Sequence, residues 1–302
     1  MRDAEAFSPA HITGLFQILD RSKNLLKVGS KGAGVSVTLG VTTSVRVESS
    51  ATTSCRILIN GERSDTALVS KQVLNCFLSM VEGSHRILVE HRVAVPIGQG
   101  FGSSGAGALS LALALNEAFK LNLPRLEAAQ IAHVAEVKCK TGLGTVIGET
   151  FGGLEIRLKP GAPGVGEIRR IPISHDYVVV CLYSKPISTK RILTSGLYRQ
   201  RVNEVGGKLT AELAKHPTPA KFMGLSRKFA EHLGLISNRL RPILDETDKA
   251  GITFSMAMLG ESLFALIKLD QVTEIRKIFD KKSTLSSNMV ITDIDRKGAR
   301  LL

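Results

Sequence analysis

The sequence predicts an α+β protein in two parts, and three features carry that expectation. Segments rich in β-branched residues dominate the first third. Two helical patterns then follow a single glycine-rich turn near residue 100. A stretch dense in proline and glycine, Lys159 to Gly166, separates them from a second half that opens on a strand and is mostly helical in its middle. The expected domains are 1–162 and 163–302.

Gly34 to Glu48 and Cys55 to Asn60 are partly alternating and β-branched, which predicts strands. Asp65 is placed to cap a helix over 66–81, whose stripe is Leu68, Val73, Leu74, Phe77 and Val81. A strand over 86–95 follows. One helix is expected over 103–121 and a second, opened by Asn122 and Pro124, to about Lys140. Strands are expected at 151–158, 176–183 and 289–294 and a helix at 271–280. Between 190 and 249 the helical patterns are broken at Gly206, Gly207 and Pro217, and two short apolar runs flank Gly260.

Forty Lys and Arg against 27 Asp and Glu give a formal charge of +13, a balance that favours anionic partners without choosing among nucleic acid, acidic membranes and small anions. Aromatic residues are 5% with no Trp, so no stacking platform for single strands is indicated, and no nucleic-acid partner is expected. The most apolar helical stretch, Ala106 to Leu115, is shorter than the ~20 residues that span a bilayer and reads as a buried core helix. The N-terminus has no apolar core of a secretory signal. Cys55, Cys76, Cys139 and Cys181 form no C-x-x-C pair, so reduced thiols in a cytoplasmic protein without a membrane partner are expected.

The stretch from Pro96 to Leu109 carries the chemistry. Glycines at 98, 100, 102, 105 and 107 let the backbone approach a ligand, and a helix starting among them directs free N–H groups and a positive dipole end at the turn. Phosphate is the natural occupant. The Walker pattern is absent, which disfavours a P-loop enzyme. Gly100, Gly102 and Gly105 do satisfy G-x-G-x-x-G, so an NAD-linked oxidoreductase is the alternative from another class, but no second strand ending in an acidic residue about 20 residues on is supplied. An RNA-binding module exploiting the charge is a third, weaker alternative.

The string from Pro96 to Ala106 resembles the phosphate loop of the GHMP kinases. Phe7 to Ile18, Gly29 to Gly34, Ala132 to Val137, Gly142 to Gly153 and Pro186 to Leu193 resemble the archaeal pantoate kinases in order and spacing, more than homoserine or mevalonate kinases. Met256 to Leu266 stands where the family has a third, glycine-containing motif. The resemblance implies an N-terminal domain like ribosomal protein S5 domain 2 and a ferredoxin-like C-terminal domain, with the site between them. It also implies ATP-dependent phosphorylation of pantoate to 4-phosphopantoate in coenzyme A synthesis, with ATP, Mg²⁺ and a homodimer.

The same resemblance assigns residues. Pro96, Gly98, Gly100, Gly102, Ser103, Ser104, Gly105 and Ala106 would hold the ATP phosphates, with Ser104 and Glu136 on Mg²⁺. By spacing alone Glu136 is equally a surface partner of Lys140, and Ser104 a helix-start serine. Arg157 would take the pantoate carboxylate as a planar bidentate donor, against the alternative of a solvated strand arginine. Ser30, His133 and Thr189 are implied as substrate contacts, with a loop serine, a core histidine and a cap threonine as the plainer alternatives.

One position departs from the family. Its Gly-Leu-Gly-Asp segment reads Gly142, Leu143, Gly144, Thr145 here, so the carboxylate expected at the acceptor hydroxyl is missing. Thr145 is therefore expected to hydrogen-bond the acceptor without acting as a base. Glu149, one helical turn on, is a candidate substitute base or simply a surface glutamate.

Overall fold

The computed structural model describes residues 2–183, 195–258, 260–280 and 289–302. Two long strands organise it. β1 (Arg2–Leu19) and β2 (Gly29–Ser49) form an antiparallel hairpin that pairs from Arg2 opposite Val47 to Leu19 opposite Gly29. The register shifts at Pro9/Ala10, where proline cannot donate to the ladder, and again between Thr13 and Leu15. The outer half of β2 pairs with β5 (His85–Val93), and its inner end pairs with β6 (Leu154–Lys159).

β3 (Ser54–Ile59) and β4 (Glu62–Arg63) extend the sheet beyond β5, and β7 (Glu167–Arg170) extends it beyond β6. β3 and β5 are parallel, which requires a crossover, supplied by α1 (Leu68–Leu78). Asp65 does not cap that helix: Ala67 is its N-cap without a side-chain bond, and the Asp65 carboxylate accepts from Arg63. α2 (Ser103–Phe119) is buried almost all round, as its composition predicts, and packs against α1 and α3 (Arg125–Cys139). Asn116 bridges both backbone groups of Leu123, fixing the short link between α2 and α3.

The second sheet is antiparallel, in the order β11 (Met289–Asp293), β8 (Tyr177–Tyr183), β10 (Ser262–Lys268), β9 (Ser255–Met256). The helical middle resolves into α5 (Gly196–Lys215), α6 (Pro219–Leu233) and α7 (Arg241–Lys249); Thr218 caps α6 and Pro219 opens it. α8 (Val272–Asp280) follows β10. The end of the chain returns to the first sheet, where β12 (Arg300–Leu301) pairs with β1. The expected junction at 162/163 falls in the turn before β7, so β7 and β12 lie beyond it in sequence yet hydrogen-bond within the first sheet.

Two apolar cores result, and the long hairpin belongs to both. Its outer end, with Ala6, Val45 and Val47, packs under α1–α3; its inner end, with Ala10, Ile12, Val35 and Val37, packs on α5, α6 and the second sheet. Residues of β1 and β2 facing away from that second core are free to line a site between the cores. Among the described residues no helix is long and apolar enough to cross a membrane.

Candidate active site

A cavity of roughly 230 Å³ opens where the glycine loop, the inner ends of β1, β2 and β6, and the starts of α2 and α4 (Thr145–Phe151) converge. Gly102 forms the N-cap of α2 at φ 67°, a left-handed conformation that glycine adopts without penalty, and no side chain caps the helix. Its first N–H groups and dipole end are therefore available to an anion in the cavity. The loop is held from both sides. The His11 amide donates to the Phe101 carbonyl, and the Met258 amide donates to the Thr13 carbonyl. A Cβ on Gly260 would collide with the Gln99 backbone, so the third motif seats directly on the loop.

Ser104 and Glu136 meet here. The Ser104 hydroxyl donates to Glu136 Oε1 at 2.6 Å, and the Thr141 hydroxyl donates to the same oxygen at 2.6 Å. Glu136 is 2% exposed, which removes the surface Glu–Lys alternative. Burial pushes its carboxyl above the usual range, and the two hydroxyl donors pull it back. Among the described residues it forms no ion pair, so its charge has no fixed counter-ion.

Arg157 lines the same cavity. It is 1% exposed, with its Nη1 donating to Glu155 Oε1 at 2.5 Å and its Nε lacking a partner. Ser30, Gly98, Gly100, Gly102, Ser103 and Thr145 also line the cavity. The Thr145 hydroxyl is buried without a partner.

Four expected residues lie elsewhere. Pro96, Gly105 and Ala106 are not among the residues lining the cavity, although Gly105 belongs to the first turn of α2. His133 is a core histidine: its Nε2 bonds the Val28 carbonyl at 3.0 Å, and burial lowers its pKa. It thereby fixes the start of β2, two residues before Ser30. Thr189, with the rest of 184–194, falls outside the described residues.

Glu149 is not a surface glutamate. It is 0% exposed, both carboxyl oxygens lack partners, and it lies under Gly102 and Gly105, outside the cavity lining. Burial, with the Glu136 charge near it, pushes it well above the usual carboxylate range. Glu149 lies outside the cavity lining and so is not placed to take a proton from a substrate there. His11, Thr13, Thr141 and Met258 are lining residues that the sequence reading did not single out.

Comparison with known proteins accounts for this geometry. Residues 68–153 match the family model "GHMP kinases N terminal domain". A pantoate kinase of Thermococcus kodakarensis is 38% identical over 282 residues, covering 90% of each chain. One from Methanocaldococcus jannaschii is 33% identical over 272 residues, covering 90% of this chain and 96% of its own. A solved structure described as a phosphotransferase related to the CoA biosynthesis pathway superposes with a TM-score of 0.90 at 33% identity, over 99% of this chain and 98% of that one. Loop, fold and full-length similarity agree: the chain belongs to the pantoate kinases of the GHMP kinase superfamily.

Proposed function

We propose that this chain transfers the γ-phosphoryl group of ATP to the terminal hydroxyl of pantoate, giving 4-phosphopantoate for coenzyme A synthesis. One observation carries the reading: an uncapped helix N-terminus with Ser104 and Glu136, and a buried guanidinium, line a single cavity. The first suits polyphosphate and the second a small carboxylate. In this reading the ATP phosphates lie on the first turn of α2 and the glycines of the loop, and Arg157 with Ser30 holds the pantoate carboxylate.

Ser104 and Glu136 fit a hard divalent cation, because Glu136 is a buried carboxylate without a cationic partner and with hydroxyl oxygens beside it. Mg²⁺ held there by Ser104 and Glu136 would supply positive charge to the ATP phosphates. Thr145 aligns the acceptor hydroxyl through its unpartnered Oγ1. No dedicated base is needed, since a loose transition state takes most of its stabilisation from positioning and charge. The setting of this reading is a cytoplasmic homodimer; light scattering on the purified protein reads the oligomeric state.

The test is ATP-dependent phosphorylation of pantoate, pantothenate, homoserine and mevalonate, with products identified by mass. 4-Phosphopantoate is the expected product. Turnover of homoserine with none of pantoate contradicts the reading.

A further inference from the structure

A line of buried polar side chains runs behind the Arg157 wall and ends at the cavity. Thr13 of β1 lies opposite Gly34 of β2, and Gly34 lies opposite Glu155 of β6. His11 precedes Thr13 by two residues and Arg157 follows Glu155 by two, so strand alternation puts all four side chains on one face. Gly34 leaves the gap that the His11 ring fills, because a Cβ there would collide with Cε1. Gly148 of α4 closes the other side, where a Cβ would lie 2.7 Å from Nε2.

The partners of this clamped ring determine its tautomer. His11 is 0% exposed, and burial, the dominant influence, holds its pKa below the ordinary value against the opposing pull of Glu155. The Arg157 guanidinium on Glu155 Oε1 already balances that carboxylate's charge, so His11 is assigned as the neutral ring. Nε2 lies 2.9 Å from Glu155 Oε1 and 3.4 Å from Arg157 Nη1; the carboxylate is the nearer partner and can only accept, so the proton is assigned to Nε2. Nδ1 is left with a lone pair 3.3 Å from Thr13 Oγ1, and the Thr13 hydroxyl gives its only proton to it. What Thr13 then presents to the cavity is acceptor lone pairs alone.

We propose that the His11–Thr13 pair makes the site selective for an α-hydroxy acid over the corresponding α-keto acid. The inference rests on the pantoate reading above. With the carboxylate on Arg157, Thr13 accepts a hydrogen bond from the α-hydroxyl. A ketone oxygen at the same place has no proton to offer, so lone pairs face lone pairs. Ketopantoate carries the same terminal hydroxyl as pantoate, so carboxylate recognition alone does not reject it. Thr13 contacts the substrate; His11 is a positioning residue that acts through it.

The experiment compares kcat/KM for pantoate and ketopantoate in wild type, Thr13→Val and Thr13→Ser. Wild type is expected to prefer pantoate by about a hundredfold. Thr13→Val preserves shape without the hydroxyl, so pantoate kcat/KM falls about tenfold or more while KM for ATP holds and the preference collapses. Thr13→Ser keeps the preference. His11→Phe removes the acceptor, frees the Thr13 hydroxyl to donate and raises ketopantoate use relative to pantoate; a thermal melt reports whether it folds, and Thr13→Val decides if it does not. Wild-type turnover of ketopantoate within about threefold of pantoate, or an unchanged ratio in Thr13→Val, overturns the inference and leaves the kinase reading standing. Phosphorylation of another panel alcohol but not pantoate overturns both.

Discussion

Two buried histidines divide the molecule into a part that holds the fold and a part that awaits a ligand. His91 sits in the outer core, its Nδ1 2.8 Å from the Thr43 hydroxyl and its Nε2 3.0 Å from that of Ser70. Thr43 meets Ser110 at 2.6 Å, and Ser110 donates to the Ala106 carbonyl at 2.8 Å. Every polar atom of that cluster has a partner, and it ties β2, β5, α1 and α2 together. The His11 cluster is as deeply buried but incomplete: Glu155 Oε2 and Arg157 Nε are unpartnered, as is the Thr145 hydroxyl on the same cavity. Unpaired buried groups cost stability, so a network left open beside a cavity marks where a ligand completes it.

The comparison breaks if variants on the open side cost stability instead of turnover. Glu136→Gln is expected to have the largest effect, lowering kcat about a hundredfold or more at limiting Mg²⁺. Its melting midpoint should stay near or above wild type, since a buried carboxylate charge without a counter-ion among the described residues is removed. Near-wild-type kcat in this variant would make Glu136 a structural residue only. Arg157→Lys should raise KM for pantoate about tenfold or more and leave KM for ATP unchanged, because the planar fork is lost while the charge remains. Equal increases in both KM values would place Arg157 in general packing.

On the closed side the expected losses are thermodynamic. His91→Phe strands the Ser70 hydroxyl, takes one of the two partners of Thr43 and should cost about 2 kcal/mol in urea unfolding, with kcat/KM unaltered. Burial pushes His91 down to about 4, against about 6.5 for a free histidine. Above pH 6.5 neither state is protonated and the group contributes no pH dependence. As pH falls below that, the unfolded chain binds a proton the fold refuses, and stability drops by about 2 kcal/mol between pH 7 and pH 5. His91→Phe should lack this part of the slope, and an identical slope in both proteins would remove His91 as its source.

How much of this was legible in sequence depended on whether the signal was local. The glycine loop, the buried α2 and the short link to α3 followed from composition and turn chemistry. Arg157, Ser104 and Glu136 followed from family resemblance rather than spacing. The first strand was missed as an element because Pro9 and Gly14 interrupt its alternation, and with it went His11 and Thr13. Their meeting with Glu155 spans more than 140 positions and depends on Gly34 standing between two strands, a relation no local pattern encodes. His133 was expected at the substrate and serves the core, because a helix periodicity does not say which buried neighbour a ring will meet. Glu149 was open between a substitute base and a surface glutamate, and α4 turns it inward under the loop.

The smallest effects are expected at the position that departs from the family. Thr145→Asp should maintain or raise turnover, and Glu149→Gln should change kcat less than about twofold, since Glu149 lies outside the cavity lining and the amide keeps its shape. Loss of turnover in Glu149→Gln with intact pantoate binding would instead identify it as a proton acceptor.

The central claim, that the substrate carboxylate pairs with the open Arg157 guanidinium, is tested most directly by ligand-linked stability. Thermal unfolding of wild type with pantoate at a hundredfold excess over its Kd should shift upward by about 5 °C. At that same pantoate concentration Arg157→Lys should lose most of the shift while keeping the shift produced by ATP and Mg²⁺. An equal pantoate-induced shift in wild type and Arg157→Lys would contradict the account.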